Sequence, residues 1–245
     1  EIQKRVLGGE HPFYATSLNN LGYLYWAMKD LTRAEPPLVQ ALEIRRKVLG
    51  EGHQDSMSSL DSLADLYESM KDYTRAETFY LQSVEIRKKV LGEEHPDYAL
   101  SLKTLGSLYE SMVDYSRAES LYRQALAITK KVLGEEHPNY ASYLNNLGLL
   151  YCSMGDYARA EPLYREALEI RKKTLGEEHP DYATCLNNLG GLYESMADYL
   201  RAEPLYLQAI EIRKKVLGQE HARYADSIND LGVLYKSMAY YARAE

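Results

Sequence analysis

Along residues 180–218 the apolar and small side chains recur at a helical period. Leu186, Leu189, Gly190 and Tyr193 stand at i, i+3, i+4 and i+7, one stripe of an amphipathic helix, here helix A. After the short turn Met196-Ala197-Asp198-Tyr199, a second stripe runs through Ala202, Leu205, Tyr206, Ala209 and Ile210, predicting helix B. Asp198 is placed to cap helix B, since a carboxylate there accepts from orphan N–H groups and faces the positive dipole end. Asp30, Asp72, Asp114 and Asp156 stand at the same point, and Tyr240 breaks the series. Helix B closes on Glu211-Ile212-Arg213-Lys214-Lys215-Val216-Leu217-Gly218, where cations meet the negative dipole end and glycine can turn left-handed. The next helix A starts near a proline such as Pro96, Pro138 or Pro180, a residue suited to the first helical position. The predicted unit is a helical hairpin.

That hairpin repeats. The six histidines, His11, His53, His95, His137, His179 and His221, are spaced 42 residues apart. Met28, Met70, Met112, Met154, Met196 and Met238 keep the same interval, as does an Arg-Ala-Glu triplet beginning at Arg33, Arg75, Arg117, Arg159, Arg201 and Arg243. A fixed period of this length signals a solenoid, in which each unit covers its neighbour's apolar face. The chain forms a single all-α domain, with hairpins near 12–50, 54–92, 96–134, 138–176 and 180–218, a truncated repeat at 222–245, and the end of a preceding helix B at 1–8. Gly22, Ala64, Gly106, Gly148, Gly190 and Gly232 lie inside helix A, although an interior glycine costs about 1 kcal/mol relative to alanine. Close helix–helix approach is expected to offset it, with Ala34, Ala76, Ala118, Ala160 and Ala202 on helix B letting Tyr25, Tyr67, Tyr109, Tyr151 and Tyr193 pack.

Composition narrows the function classes. With 36 acidic against 29 basic residues and a net charge of −7, the surface lacks the cationic excess that phosphate-backbone binding needs, so nucleic acid is not expected as a partner. No stretch approaches the roughly 20 apolar residues that cross a bilayer, and the first residues form no secretory signal, so a cytoplasmic protein is expected. Cys152 and Cys185 form no CxxC pair and are expected to be reduced and structural.

The segment LGEEHPDYA, present at 91–99 and again at 175–183, places histidine beside glutamates and poses the question of a metal or acid/base site. Successive histidines are separated by a helix pair, and packed helix axes lie about 8–10 Å apart, whereas zinc needs several ligands at roughly 2 Å from one ion. No nucleophile, phosphate loop or HExxH motif accompanies them. The expected role is to shape the inter-repeat turn, with no metal, no cofactor and no catalysis. The tyrosines and methionines, at helical spacing, are read as packing.

The small-large pattern, Leu-Gly-x-x-Tyr on helix A followed by Ala, Tyr and Ala on helix B, resembles the tetratricopeptide repeat across the whole chain. The 42-residue length, with LNNLG, YxRAE, ALEIRKK and LGEEHPDYA, is similar to the longer repeats of kinesin light chains. The resemblance implies an all-α, right-handed superhelical solenoid of antiparallel helix hairpins, a non-enzymatic scaffold whose helices A line a concave groove for an extended peptide.

On that reading the groove carries Asn19 and Asn20, Asp61 and Ser62, Lys103 and Thr104, Asn145 and Asn146, Asn187 and Asn188, Asn229 and Asp230. Asn20, Asn146 and Asn188 match the place where such proteins hold ligand backbone, which an amide can do with both donors and an acceptor. The alternative is that these amides tie neighbouring helices together. Side chains one turn away, Tyr23 and Trp26, Asp65 and Glu68, Ser107 and Glu110, Leu149 and Cys152, Gly191 and Glu194, Val233 and Lys236, would set specificity. Asp61, Asp65, Glu68, Glu110, Glu194, Asp226 and Asp230 face only Lys103 and Lys236, a departure from relatives that clamp carboxylates or acidic cargo. The expected protein or peptide ligand is therefore a neutral or basic extended segment, with an apolar anchor against Tyr23, Trp26 or Leu149. Both ends cut through a hairpin, which leaves open self-association through uncapped ends, as a head-to-tail filament or swapped dimer, and the ligand-sensing arm of a larger regulator.

Overall fold

The turn inside each hairpin is written by three residues. Met28 closes the first helix, Lys29 takes a left-handed φ of 60°, and Asp30 then caps the second helix by accepting from the Arg33 amide. Lys71, Val113 and Ala197 adopt the same conformation without being glycine, and Gly155 occupies the equivalent place in the fourth repeat. The capping carboxylates also receive their own arginines, Arg33 Nε to Asp30 Oδ2 at 2.5 Å and Arg117 Nε to Asp114 Oδ2 at 2.6 Å. The amide and side chain of Arg117 hold the Asp114 carboxyl below its ordinary range, and the side chain and amide of Arg33 do the same for Asp30.

The structure, a computed structural model, describes Val6 and Gly8 to Ala244, with side chains as far as Ala239. Among the described residues there are eleven helices and no strands. They are α1 (Pro12–Ala27), α2 (Leu31–Leu49), α3 (Gln54–Ser69), α4 (Tyr73–Leu91), α5 (Pro96–Ser111), α6 (Tyr115–Leu133), α7 (Pro138–Ser153), α8 (Tyr157–Leu175), α9 (Pro180–Ser195), α10 (Tyr199–Leu217) and α11 (Ala222–Ala244). Odd-numbered helices are helices A, even-numbered ones helices B. The expected helix B ending at residues 1–8 falls largely outside the described residues. The chain divides into two compact units, residues 1–128 and 129–245.

Between hairpins the turn is equally regular. A left-handed glycine, such as Gly92 at φ 91°, ends helix B, and the next histidine is the N-cap of helix A. His95 Nδ1 accepts from the Asp97 amide at 3.1 Å, and His11, His53, His137, His179 and His221 do the same for the amide two residues on. Pro96, Pro138 and Pro180 follow at the first helical position.

Within residues 1–128, Ala15, Leu18, Ala41 and Ile44 form one buried cluster, against which Tyr14 packs. Within residues 129–245, Tyr182, Ala183, Leu186, Ala209 and Ile212 form another, joined by Leu168 from the preceding hairpin. The helix A glycines Gly22, Gly106, Gly148 and Gly190 are spacers, as the cost of an interior glycine implied. The side chain they admit is the helix B tyrosine or leucine: a Cβ on Gly148 would meet the Tyr164 ring at 2.8 Å, and one on Gly22 would meet Leu38 at 2.5 Å.

The Arg-Ala-Glu triplet acquires a role across repeat boundaries. The arginine stacks on the tyrosine of its own hairpin, Arg75 lying 4.1 Å from the Tyr67 ring centre. The alanine is fully buried at Ala34, Ala76, Ala118, Ala160 and Ala202. The glutamate reaches the following repeat, where Glu35 accepts from Tyr67 Oη at 2.7 Å and from Arg75 Nη1 at 3.0 Å. In residues 129–245, Glu161 likewise accepts from Tyr193 Oη at 2.7 Å.

The last repeat departs from expectation. The truncated repeat at 222–245 is expected to stop just as another helix B begins, yet α11 continues without a turn to Ala244. Tyr240 stands where aspartate caps every other helix B, so the backbone has no carboxylate to accept the amides freed by a turn.

Candidate peptide-binding face

Within each unit, helices A place residues just off the packing stripe where neighbouring helices A meet. In residues 129–245 the two asparagines of each pair do different things. Asn145 Nδ2 donates to Cys185 Sγ on the next helix A at 3.2 Å. Asn187 Nδ2 donates to Asp230 Oδ2 at 2.7 Å, and its Oδ1 accepts from Ser227 Oγ at 3.1 Å. The first amide of the pair thus ties α7 to α9 and α9 to α11. Asn146 and Asn188 make no such bond among the described residues, and both line a cleft of ≈ 240 Å³ between α7 and α9. Ser142, Asn145, Arg171, Asp181 and Thr184 complete its walls.

Arg171, on α8, forms the floor and is buried, with 8% of its surface exposed. It donates from Nη2 to Ser142 Oγ at 2.5 Å and from Nη1 to Asp181 Oδ2 at 3.4 Å, while its Nε and Asn145 Oδ1 are buried without a partner. In the equivalent places Arg45 bonds Ser59 Oγ at 2.7 Å and Arg213 bonds Ser227 Oγ at 2.5 Å. Cys185 replaces that serine here, so the guanidinium turns to a carboxylate. Burial pushes the Cys185 thiol up, against the bond from Asn145, which keeps it a neutral acceptor.

Sequence reasoning missed these arginines, reading them as part of a cationic helix tail. Arg45, Arg87, Arg171 and Arg213 are each buried, and each bridges helices. The available signal was their periodicity, with Gln3 and Thr129 the exceptions.

In residues 1–128 the face has other chemistry. Tyr23 is exposed and stacks on the half-buried Trp26, and its hydroxyl shares a hydrogen bond with Ser62 Oγ at 2.7 Å. Asp61 is paired with Arg87 at 2.5 Å and accepts from Ser83. Tyr80 donates to Asp65 and Glu68, and Tyr122 to Glu110 at 2.9 Å. Beyond residue 128, Tyr206 treats Glu194 the same way at 2.8 Å. The acid excess counted along the sequence is thus partly offset by Arg87 and partly held by helix B tyrosines. Asn20 and Asn229 are exposed, Leu149 is 51% exposed, Lys103 is half-buried, and Asn19 has a buried Oδ1 without a partner.

The histidines lie apart from this face, each with Nδ1 engaged as an N-cap. Among the described residues no three His, Cys, Asp or Glu side chains converge as a metal site, and no helix is long and apolar enough to cross a membrane.

Paired helices joined by a capped turn, with small residues at the crossing and a polar helix A face, define a helical-repeat scaffold. The tetratricopeptide repeat model matches residues 15–55, 55–131, 114–173, 141–215 and 186–245, and the chain belongs to that family. No curated protein matches it in sequence. Among solved structures it is similar to a Podosopora anserina protein assigned as a kinesin light chain with nearly identical TPR-like repeats. The two are 28% identical, with 84% of this chain and 97% of that chain covered and a TM-score of 0.69. It is also similar to BtubC (BKLC) from P. vanneervenii, at 27% identity, with 89% and 88% covered and a TM-score of 0.73. MamA protein, at 20% identity and a TM-score of 0.52, with 85% and 97% covered, shares the fold. The chain is a tetratricopeptide repeat protein with repeats similar to those of kinesin-light-chain-like structures, and its family identifies it as a protein–protein interaction scaffold.

Proposed function

We propose that this scaffold binds an extended peptide segment along its helix A face, with Asn146 and Asn188 holding the ligand backbone. The observation that carries this reading is the contrast within each pair: Asn145 and Asn187 are committed to neighbouring helices, while Asn146 and Asn188 line a cleft with their amides unbonded. An amide there can donate to a peptide C=O and accept from its N–H whatever the side chains. Leu149, one turn from Asn146 and 51% exposed, offers an apolar contact. The ligand is a neutral or basic segment, because the unneutralised charge on the face is acidic. The test is a peptide-display selection on the parent and on the Asn146→Ala/Asn188→Ala variant, matched for helicity by circular dichroism. Enrichment of a motif on the parent alone supports the reading, and either its survival on the variant or a failure to enrich any motif overturns it.

A further inference from the structure

On the helix A face of residues 1–128, α1 and α3 carry complementary chemistry at the same repeat positions. α1 presents Tyr23 and Trp26 one turn apart, with ring centres 5.8 Å apart and planes inclined by 6°. Tyr23 is 43% exposed. At the two matching positions, 42 residues on, α3 presents Asp65 and Glu68. The rows lie side by side. Tyr23 Oη is hydrogen-bonded to Ser62 Oγ, which stands one turn before Asp65. The chain reverses direction twice between α1 and α3, so the two helices run parallel and the pairs Tyr23/Trp26 and Asp65/Glu68 follow in the same direction along them.

The two carboxylates are poorly supplied with donors. Both depend on one hydroxyl, that of Tyr80, which carries a single proton, and Glu68 has a further long bond from Ser111 Oγ at 3.3 Å. Arg87 is taken up by Asp61 and Ser83, which leaves Lys103 as the nearby cation. Burial, with the charges of Asp61 and Glu68 beside it, pushes the Asp65 carboxyl above its ordinary value despite the Tyr80 bond. In the later repeats the same two positions read Ser107 and Glu110, Leu149 and Cys152, and Gly191 and Glu194, so an aromatic row beside an acidic row occurs at this one place.

We propose that Tyr23, Trp26, Asp65 and Glu68 form a subsite for a cationic side chain, arginine before lysine, of the segment bound along this face. The inference rests on the peptide-binding reading and adds the side chain that the helix A face of residues 1–128 selects. A guanidinium is attracted to the face of an indole or phenol ring and donates from a planar fork suited to carboxylates, while an ammonium offers only a point charge. The neutral isostere citrulline keeps the shape and loses both attractions.

Trp26 is the chain's only tryptophan, so its emission on excitation at about 295 nm reports this subsite alone among the helix A positions. The probes are a glycine-serine peptide with one central arginine and the same peptide with citrulline, titrated at low salt. The expected result is a saturable change in Trp26 emission with arginine, on the order of tenfold tighter than with citrulline, from one desolvated cation–π contact and charge-assisted bonding. Asp65→Asn/Glu68→Gln should remove that preference. Both amides can still accept the Tyr80 hydroxyl, and an unchanged thermal melt confirms that the variant is folded. Equal responses to the two peptides, no saturable response, or an arginine preference that persists in the Asp65→Asn/Glu68→Gln variant would each overturn the proposal. Asn146→Ala/Asn188→Ala lies outside residues 1–128 and should leave the Trp26 titration unchanged. The two readings therefore fail separately: a display motif lost on that variant with Trp26 silent removes the subsite and keeps the peptide-binding face, and the reverse pattern does the opposite.

Discussion

Tyr109 on α5 donates its hydroxyl to Glu77 on α4 at 2.6 Å, and Arg117, stacked 3.9 Å from the centre of the same tyrosine ring, donates to that carboxylate at 2.9 Å. One glutamate thereby holds two side chains of the following hairpin. Removing it as Glu77→Ala leaves the Tyr109 hydroxyl, on a residue only 5% exposed, without its acceptor. The expected loss is about 1–3 kcal/mol by urea denaturation, and Glu77→Gln, which keeps an acceptor, should lose less. No loss for the alanine variant would show that the clasp orders the boundary without stabilising it.

Val113 tests the intra-hairpin turn. It holds φ 62° in an exposed turn, a conformation that a β-branched residue rarely adopts, and the fourth repeat places Gly155 at the same position with φ 74°. Val113→Gly removes the steric penalty, which is about 1–2 kcal/mol for a residue with a Cβ, and gives back part of it in unfolded-state entropy. The variant is expected to melt higher than the parent, and a lower melting temperature would contradict a strained turn.

Gly148 and Gly232 occupy the same repeat position in different surroundings. A Cβ at Gly148 would lie 2.8 Å from the Tyr164 ring, whereas at Gly232 nothing lies within 4 Å. Gly148→Ala should therefore destabilise by about 1–3 kcal/mol through overpacking. Gly232→Ala should gain up to about 1 kcal/mol from helix propensity. Equal shifts in the two denaturation midpoints would remove the spacer argument.

His137 caps α7 through Nδ1, accepting from the Asn139 amide at 3.1 Å. Asparagine is among the best N-cap residues and alanine among the poor ones, so His137→Asn should be close to neutral and His137→Ala should cost about 1 kcal/mol. Neither should change affinity for a peptide selected on the parent. A variant that folds normally but loses that peptide would give the histidine a role in binding that its N-cap position does not predict.

How much of this was legible in the sequence depends on how far each contact reaches. The Asp198 cap, the glycine ends of helix B and the Gly148 spacer were readable because each acts within one hairpin, where spacing fixes geometry. The Glu77 clasp and the bridging arginines act between repeats, and a strictly periodic sequence shows that such residues are constrained without showing what they touch. Arg171 looked like one more cation beside Lys172 and Lys173, and its burial comes from the turn of helix that faces α7 and α9. The asparagine pairs were the hardest case. Asn145 and Asn146 are adjacent and identical, yet a rotation of about 100° per residue sends one toward Cys185 and the other into the cleft. Within residues 1–128 the acid count overstated the charge, since Arg87, which neutralises Asp61, lies on helix B, where the spacing along helix A does not show it.

The inter-repeat tyrosines make stability depend on alkaline pH. Burial, with the bond to and charge of Glu35, pushes the Tyr67 hydroxyl up to about 12, and the same surroundings with Glu77 push Tyr109 up to about 12. In the unfolded chain a tyrosine titrates near 10. A folded-state value above the unfolded one means that the neutral hydroxyl is favoured by folding. The contribution is therefore fully present below pH 10 and is lost as pH rises from about 10 to about 12. Tyr80, Tyr122 and Tyr206, which face carboxylates on helix A, shift in the same direction and add to the slope. Denaturation midpoints are expected to stay level from neutrality to about pH 9 and then fall steeply. Lysines also titrate in this window, so the comparison is with Tyr67→Phe/Tyr109→Phe, which should be less stable at neutral pH and lose less as pH rises from about 10 to 12. Parallel pH profiles for parent and variant would mean that these two hydroxyls do not carry the alkaline transition.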